Sequence, residues 1–278
     1  MNLEQPGTHA AHGELGMLLR HWRSVRGKSQ IELSLDTGVS QRHLSFIESG
    51  RSAPSRQTLM TIAQGLDVPL RDRNPLLLAA GYAPVYAEHA WDAEEMRGID
   101  AALKRMLRQH DPFPAMVMDR YWNVLTTNVS APRFFDTFID MAARPAPRNL
   151  LHLMFDPAGM RPFIAHWDRT ARSLIERVRR EAVGHVMDRR THELLAELAA
   201  YPELAEVHAP ANDHGPEPVL PMIPLSFVKN DVALHYFSLV TTVGTPQTIT
   251  AQELRIECLF PADEQTEARH RALMDGIA

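Results

Sequence analysis

The segment Ser29–Ser55, SQIELSLDTGVSQRHLSFIESGRSAPS, constrains this chain more than any other stretch. Ser29 followed three residues later by Glu32 is the reciprocal capping pattern that opens a helix. Gly38 stops that helix where the chain must reverse, because glycine enters the left-handed region without steric cost. Ser40 then caps a second short helix, and Gly50 ends it. Within the second helix Leu44 and Ile47 fall three apart and, with Val39 and Leu33, face inward. Gln41, Arg42, Ser45 and Ser49 are left on the opposite, polar face.

Two short helices cannot hold themselves together. The flanks supply what they lack. Leu15, Leu18, Leu19, Trp22 and Val25 form a helical stripe before the motif, and Leu59, Ile62, Ala63 and Leu66 form another after it. A last helix over about Pro69–Ala80 ends at Gly81, so the sequence predicts an all-α unit of five helices. A helix with a polar first turn has the dimensions of the DNA major groove, and in helix-turn-helix docking that first turn meets base edges. Any amphipathic helical pair has a polar outer face. Here the caps, the turn glycine and the polar set all stand at the required offsets. Glutamine pairs with adenine and arginine with guanine, so Gln41 and Arg42 are the candidate readers. Gln30, Ser40, Arg51 and Ser55 are placed for phosphates, through side chains or N–H groups at helix starts.

Residues 15–81 resemble the XRE (Cro/repressor-type) helix-turn-helix domains. GVSQRHLSFIESGRSAPS followed by LRDRNPLLLAAGYAP is similar to one branch of them, in which the domain precedes an MmyB-like ligand-binding domain with a PAS-like fold. The resemblance implies that Gln30 and Ser40 contact phosphate and that Gln41, Arg42 and Ser45 face the bases, with His43 at a neighbouring position of variable role. It implies double-stranded DNA as partner and a small apolar, fatty-acid-like ligand for the second domain.

Charge agrees with that division. Nine Lys/Arg against six acidic residues over 14–81 leave +3, and the whole chain is −5, so the remainder carries −8. A basic head on an acidic body suits a DNA-reading unit joined to one that does not touch DNA.

The organisation expected is therefore multi-domain: a mobile stretch at 1–12, the helical unit at 13–81, a linker at 82–95, an α+β domain at 96–265 and a tail at 266–278. In the second domain a helix is expected over Met96–Gln109, and a hairpin joins Ala115–Asp119 to Trp122–Thr127. Phe134, Phe135, Phe138 and Ile139 return to helical spacing, and longer helices are expected at Pro162–Val183 and Asp188–Ala200. Residues 209–218, APANDHGPEP, read as a loop. Asp231–Val243 reads as a strand after a Lys229-Asn230 turn, and Leu254, Ile256, Cys258 and Phe260 alternate as in a half-buried strand. Pro221 and Pro224 demote the segment that holds them, ahead of those strands, to an edge or an irregular stretch. Hairpin, helices and late strands make an antiparallel sheet with helices, in accord with the PAS-like fold that the resemblance implies.

Met118, Trp122, Phe134, Phe135, Phe138 and Trp167 are the flexible and aromatic side chains an adaptable apolar pocket uses. The same residues at the same spacings also make an ordinary core. Trp122, Asn128 and Trp167 resemble motif positions of the family (DRYWNVLTTN and AHWDRTAR) and lead the ligand-binding set.

No HExxH, GxSxG or phosphate-binding loop occurs. The 14 histidines form no metal-ligand pattern, and Cys258, the only cysteine, excludes a disulfide framework. No apolar run long enough for a transmembrane helix occurs, and no signal-peptide core opens the chain. The expectation is a cytoplasmic, non-enzymatic, dimeric transcription regulator without a resident cofactor. The alternative is a DNA-binding regulator whose second domain serves only dimerisation or partner docking.

Overall fold

The computed structural model describes residues 7–146, 148–183, 188–201 and 225–276. The chain divides into two compact units, Met1–Glu88 with Gln247–Ile249, and His89–Pro246 with Thr250–Ala278.

The first unit is the five-helix bundle: α1 (Gly7–Val25), α2 (Gln30–Thr37), α3 (Gln41–Glu48), α4 (Arg56–Gly65) and α5 (Leu70–Ala79). Its core is the one that periodicity marks. Leu15, Leu19, Trp22, Leu33, Leu44, Ile47, Leu59, Ile62, Ala63, Leu66, Leu76 and Leu77 are all buried together. Gly16 of α1 lies so close to α3 that a Cβ there would stand 2.2 Å from the Glu48 carbonyl oxygen, so only glycine allows this helix contact. Two expectations change at the edges of the unit. Helix α1 begins at Gly7, so residues 7–12 are helical rather than a mobile extension, while residues 1–6 lie outside the described residues. The linker expected at 82–95 is partly committed to the bundle: Tyr82 Oη donates to the Pro54 carbonyl at 3.0 Å, and Asn74 Oδ1 accepts the Val85 and Tyr86 N–H groups.

The second unit is α+β. A 3₁₀ turn (Glu94–Met96) leads into α6 (Arg97–Gln109), followed by β1 (Ala115–Met118), β2 (Val124–Thr127), α7 (Ser130–Asp136) and α8 (Leu150–Phe155). A further 3₁₀ turn (Arg161–Phe163) precedes α9 (Trp167–Val183) and α10 (Arg189–Ala199). Then come β3 (Leu225–Lys229), β4 (Val232–Thr241), α11 (Ile249–Glu253), β5 (Arg255–Pro261) and α12 (Glu264–Met274). The five strands form one sheet in the order β2-β1-β5-β4-β3, and every pairing is antiparallel.

Period-2 alternation sends β1 and β5 into two cores, one on each face of the sheet. On β1, Ala115 and Val117 face the α6 side with Met96, Leu103, Leu107, Leu254 and Ile256. Met116 and Met118 face the opposite side, with Phe134, Phe155, Phe227, Tyr236 and Leu259. Strand β5 is consequently central and covered on both faces, not half-buried as its alternation suggests. Its polar Glu257 is buried, paired with Arg177 of α9 at 3.4 Å. The β3–β4 hairpin turns at Asn230 and Asp231, both with positive φ (49° and 64°), and β3 is an edge strand of the sheet. The segment holding Pro221 and Pro224, like the expected loop at 209–218, lies outside the described residues.

The expected tail at 266–278 is corrected. Residues 264–274 are helix α12, capped by Asp263, and it buries Thr266, His270 and Met274. His270 is fully buried. Its Nε2 donates to the Pro112 carbonyl at 2.8 Å, which leaves Nδ1 to accept the Tyr236 hydroxyl at 2.7 Å. Burial pushes the His270 imidazole below its ordinary range, with neighbouring Arg271 and His110 adding to the effect. The unfolded chain therefore binds a proton near pH 6.5 that the folded chain refuses. Stability is unaffected by this group above that pH and is lost as pH falls below it, by at most about 1.4 kcal/mol per pH unit. Denaturant midpoints of the second unit measured from pH 7.5 to 5 should fall accordingly, and His270→Gln should flatten the slope by up to one proton.

Candidate nucleic-acid interface and ligand-binding domain

Helices α2 and α3 present the reading face on capped ends. Ser29 Oγ accepts the Glu32 N–H at 3.2 Å, and Glu32 Oε2 accepts the Ser29 N–H at 2.7 Å, the reciprocal box that the sequence predicts. Gly38 takes φ 70° at the turn, and Gly50 takes φ 73° beyond α3. Ser40 Oγ accepts the His43 N–H at 3.3 Å, and Ser55 Oγ accepts the Thr58 N–H at 3.1 Å.

Ser40, Gln41, Arg42, Arg51 and Ser55 are exposed, while His43 and Ser45 are half-buried. These seven lie on α3, at its start, or in the loop running to α4. The Arg42 guanidinium lies over the Phe46 ring at 5.3 Å, one turn along the helix. That cation–π contact restricts a long side chain beside the groove-facing surface.

Gln30 differs from the others. Its Nε2 donates to Glu48 Oε2 at 2.8 Å, so the side chain joins α2 to the end of α3. Glu48 also takes the Arg23 guanidinium in two bonds, 2.8 Å from Nε and 3.0 Å from Nη2. Arg23 Nη1 reaches on to the Lys28 carbonyl. This Arg23–Glu48–Gln30 cluster is absent from the sequence reading. Glu48 is 5% exposed, and it ties α1, α2 and α3 to one another. The only sequence signal was a carboxylate on the inward side of α3, one residue after Ile47.

In the second unit, Met118, Trp122, Phe134, Phe135 and Phe138 come together in one apolar cluster, with Trp167 packed at its margin. Phe134 is the hub. Its ring meets Phe135, Phe138, Phe227 and Tyr236 edge-on at 5.3–5.5 Å. Trp122 is buried in the left-handed region, φ 68°, which a bulky side chain rarely adopts. Asp119 enforces that turn by accepting the Tyr121 and Asn123 N–H groups. Arg177 lies over the Trp122 ring at 4.3 Å.

Asn128 is buried with its amide committed to backbone. Oδ1 accepts from Ala115 and Ala131, and Nδ2 donates to the Phe113 carbonyl at 2.7 Å. It fastens α7 to β1. Trp167 is half-buried against Phe155, ring centroids 5.0 Å apart, and its buried Nε1 has no hydrogen-bond partner among the described residues. Of the seven residues, Phe138 alone lines a described cleft, a half-enclosed space of about 510 Å³ beside the β3–β4 hairpin.

A buried charge cluster lies at the turn between β1 and β2. Arg120 pairs with Asp188 at 2.7 Å and Glu253 at 2.9 Å, and Tyr121 Oη donates to Asp188. Burial alone would raise the Asp188 carboxyl. Arg120, the Tyr121 hydroxyl and the N–H groups of Arg190 and Thr191 outweigh it and hold the carboxyl below its usual range. Among the described residues no group of three His, Cys, Asp or Glu could hold a metal ion, and no helix is long and apolar enough to cross a membrane.

A capped helix pair with an exposed polar face, followed along the chain by a separately cored α+β unit, is the arrangement of a helix-turn-helix domain with an appended second domain. Comparison with known families agrees: residues 22–72 match the family described as helix-turn-helix, and residues 99–273 match the MmyB-like transcription regulator ligand binding domain. The second match spans more than half of the chain, and the protein belongs to the MmyB-like transcription regulators. No curated protein matches it in a whole-sequence comparison. The chain is thus a DNA-binding transcription regulator with a ligand-binding C-terminal domain.

Proposed function

We infer that a small apolar, fatty-acid-like ligand in the second unit sets how tightly the first unit holds its operator, and that the protein reads inverted half-sites as a homodimer. The observation that carries the DNA half is the exposure of Ser40, Gln41 and Arg42 on one capped helix start, the geometry in which side chains meet base edges and N–H groups meet phosphate. Pairing on two half-sites is how a module of this size reaches useful affinity. A ligand shifts DNA affinity only through different affinities for the two conformations of the regulator.

The test is fluorescence anisotropy on DNA selected by the protein itself, with and without a panel of long-chain acids and alcohols. The dissociation constant should change with at least one of them. A constant that moves with none would remove the sensing half. Within the head, Arg42→Ala should weaken selected sites by about 1–3 kcal/mol and relax preference at one base position. Arg51→Ala should weaken selected and random DNA alike and lower the salt slope by about one. Identical behaviour of the two variants would contradict this division into reading and positioning residues.

A further inference from the structure

The chain passes from the first unit into the second at Glu88–His89 and again at Ile249–Thr250. The two entry residues of the second unit are bound to each other. The His89 N–H donates to Thr250 Oγ1 at 2.9 Å, and that hydroxyl donates to the His89 carbonyl at 2.8 Å. Thr250 lies on α11, and Glu253 closes the same helix. Glu253 Oε1 accepts from Arg120 Nη1 at 2.9 Å, while Arg120 Nη2 pairs with Asp188 Oδ2 at 2.7 Å. One guanidinium thus serves two carboxylates from distant parts of the chain.

Asp188 is the N-cap of α10 and accepts the Arg190 N–H at 2.9 Å. Arg190 in turn lies over the Tyr121 ring at 4.3 Å. Helix α10 sets Leu194 and Leu198 into the apolar cluster around Phe134. Arg120 stands on a stiff support: Asp119 clamps the turn that carries it by accepting two N–H groups. The Arg120 side chain is 3% exposed, against 12% for Asp188 and 11% for Glu253, so solvent cannot replace a lost partner. An apolar trio of the same volume would hold these elements together at least as well. What the charges add is obligatory pairing, since a change at either carboxylate alters the hold of the shared guanidinium on the other.

We propose that Arg120 is a positioning residue that couples α10 to His89 and Thr250. A displacement of α10 then reaches the two residues at which the chain enters the second unit. The use of this coupling rests on the reading of the second unit as a ligand sensor, because α10 packs on the cluster that an apolar ligand would enter.

Amide hydrogen exchange of the full chain, read residue by residue by NMR, tests the coupling without any ligand. Asp188→Asn keeps the helix cap and removes the charge. It should speed exchange of the His89 amide at least five-fold relative to that of Leu259, whose N–H donates to the Pro114 carbonyl. Coupling is reciprocal, so Glu253→Gln should speed the Arg190 amide at least five-fold on the same scale. In an Arg120→Met background neither substitution should move the other's amide. Arg120→Lys keeps the buried charge but not the planar fork, and serves where Arg120→Met does not fold; it should lose the coupling in the same way. Five-fold effects that persist in these backgrounds place the coupling elsewhere and overturn the proposal. So does a His89 amide that Asp188→Asn leaves unchanged, or His89 and Arg190 amides that merely follow Leu259, which would make the cluster a packing device. No small molecule enters this experiment, so its result is independent of the DNA titrations that decide the proposed function.

Discussion

Phe134→Ala should cost the second unit about 3–5 kcal/mol, a large part of the 5–15 kcal/mol that holds a typical domain together. The reason is position. Phe134 is fully buried and touches four other aromatic rings drawn from α7, the turn after it, β3 and β4. It also lies against the His270 ring at 5.6 Å, so its removal opens a void shared with α12. Close-packed rings fixed on separate elements cannot collapse inward to fill such a void, and the cavity term adds in full to the lost transfer energy. Hydrogen exchange should show amides of β1, β4 and β5 losing protection, while those of Leu33 and Leu44 keep theirs in the other core. Phe134→Leu, which fills most of the volume, should recover about half. If Phe134→Ala were as stable as the parent, the cluster would be a ligand cavity with room to spare instead of a packed core.

That contrast shows where the sequence was legible. The helix-turn-helix could be read residue by residue because its determinants are local: Ser29 with Glu32, Gly38, Ser40 and Gly50 each act within one helical turn. The hairpin and the strand alternation were legible for the same reason. What stayed hidden depends on distant pairings. Glu48 looks like one more polar residue on α3 until Arg23, 25 positions earlier, is brought beside it. Glu257 reads as the solvent face of a strand until Arg177 covers it. Helix α12 buries a threonine and a histidine, side chains that carry no apolar periodicity, so residues 266–274 read as a tail. The cleft draws on residues near 137, 229–234 and 269–273, and no window of sequence contains them together.

The strongest effect expected in the first unit also comes from a hidden pairing. Glu48→Ala should destabilise the helical bundle by about 3 kcal/mol, the low end for breaking a buried ion pair, because Arg23 keeps a fifth of its side chain in solvent. Truncation leaves the Arg23 guanidinium and the Gln30 amide without their shared acceptor, at the junction of α1, α2 and α3. Since Glu48 closes the helix that carries Gln41 and Arg42, the loss should reach function: affinity for selected DNA should fall more than the melting temperature alone accounts for. The pair itself is expected to contribute little net stability, since desolvating two charges offsets most of their attraction. Arg23→Met/Glu48→Leu should therefore regain most of the stability lost in Glu48→Ala, with a coupling energy above about 1 kcal/mol in the double-mutant cycle. DNA affinity separates two roles for the cluster. Recovery in the apolar double variant would make it a packing device, whereas stability without recovered affinity would show that the Glu48 carboxylate fixes the angle at which α3 meets the groove.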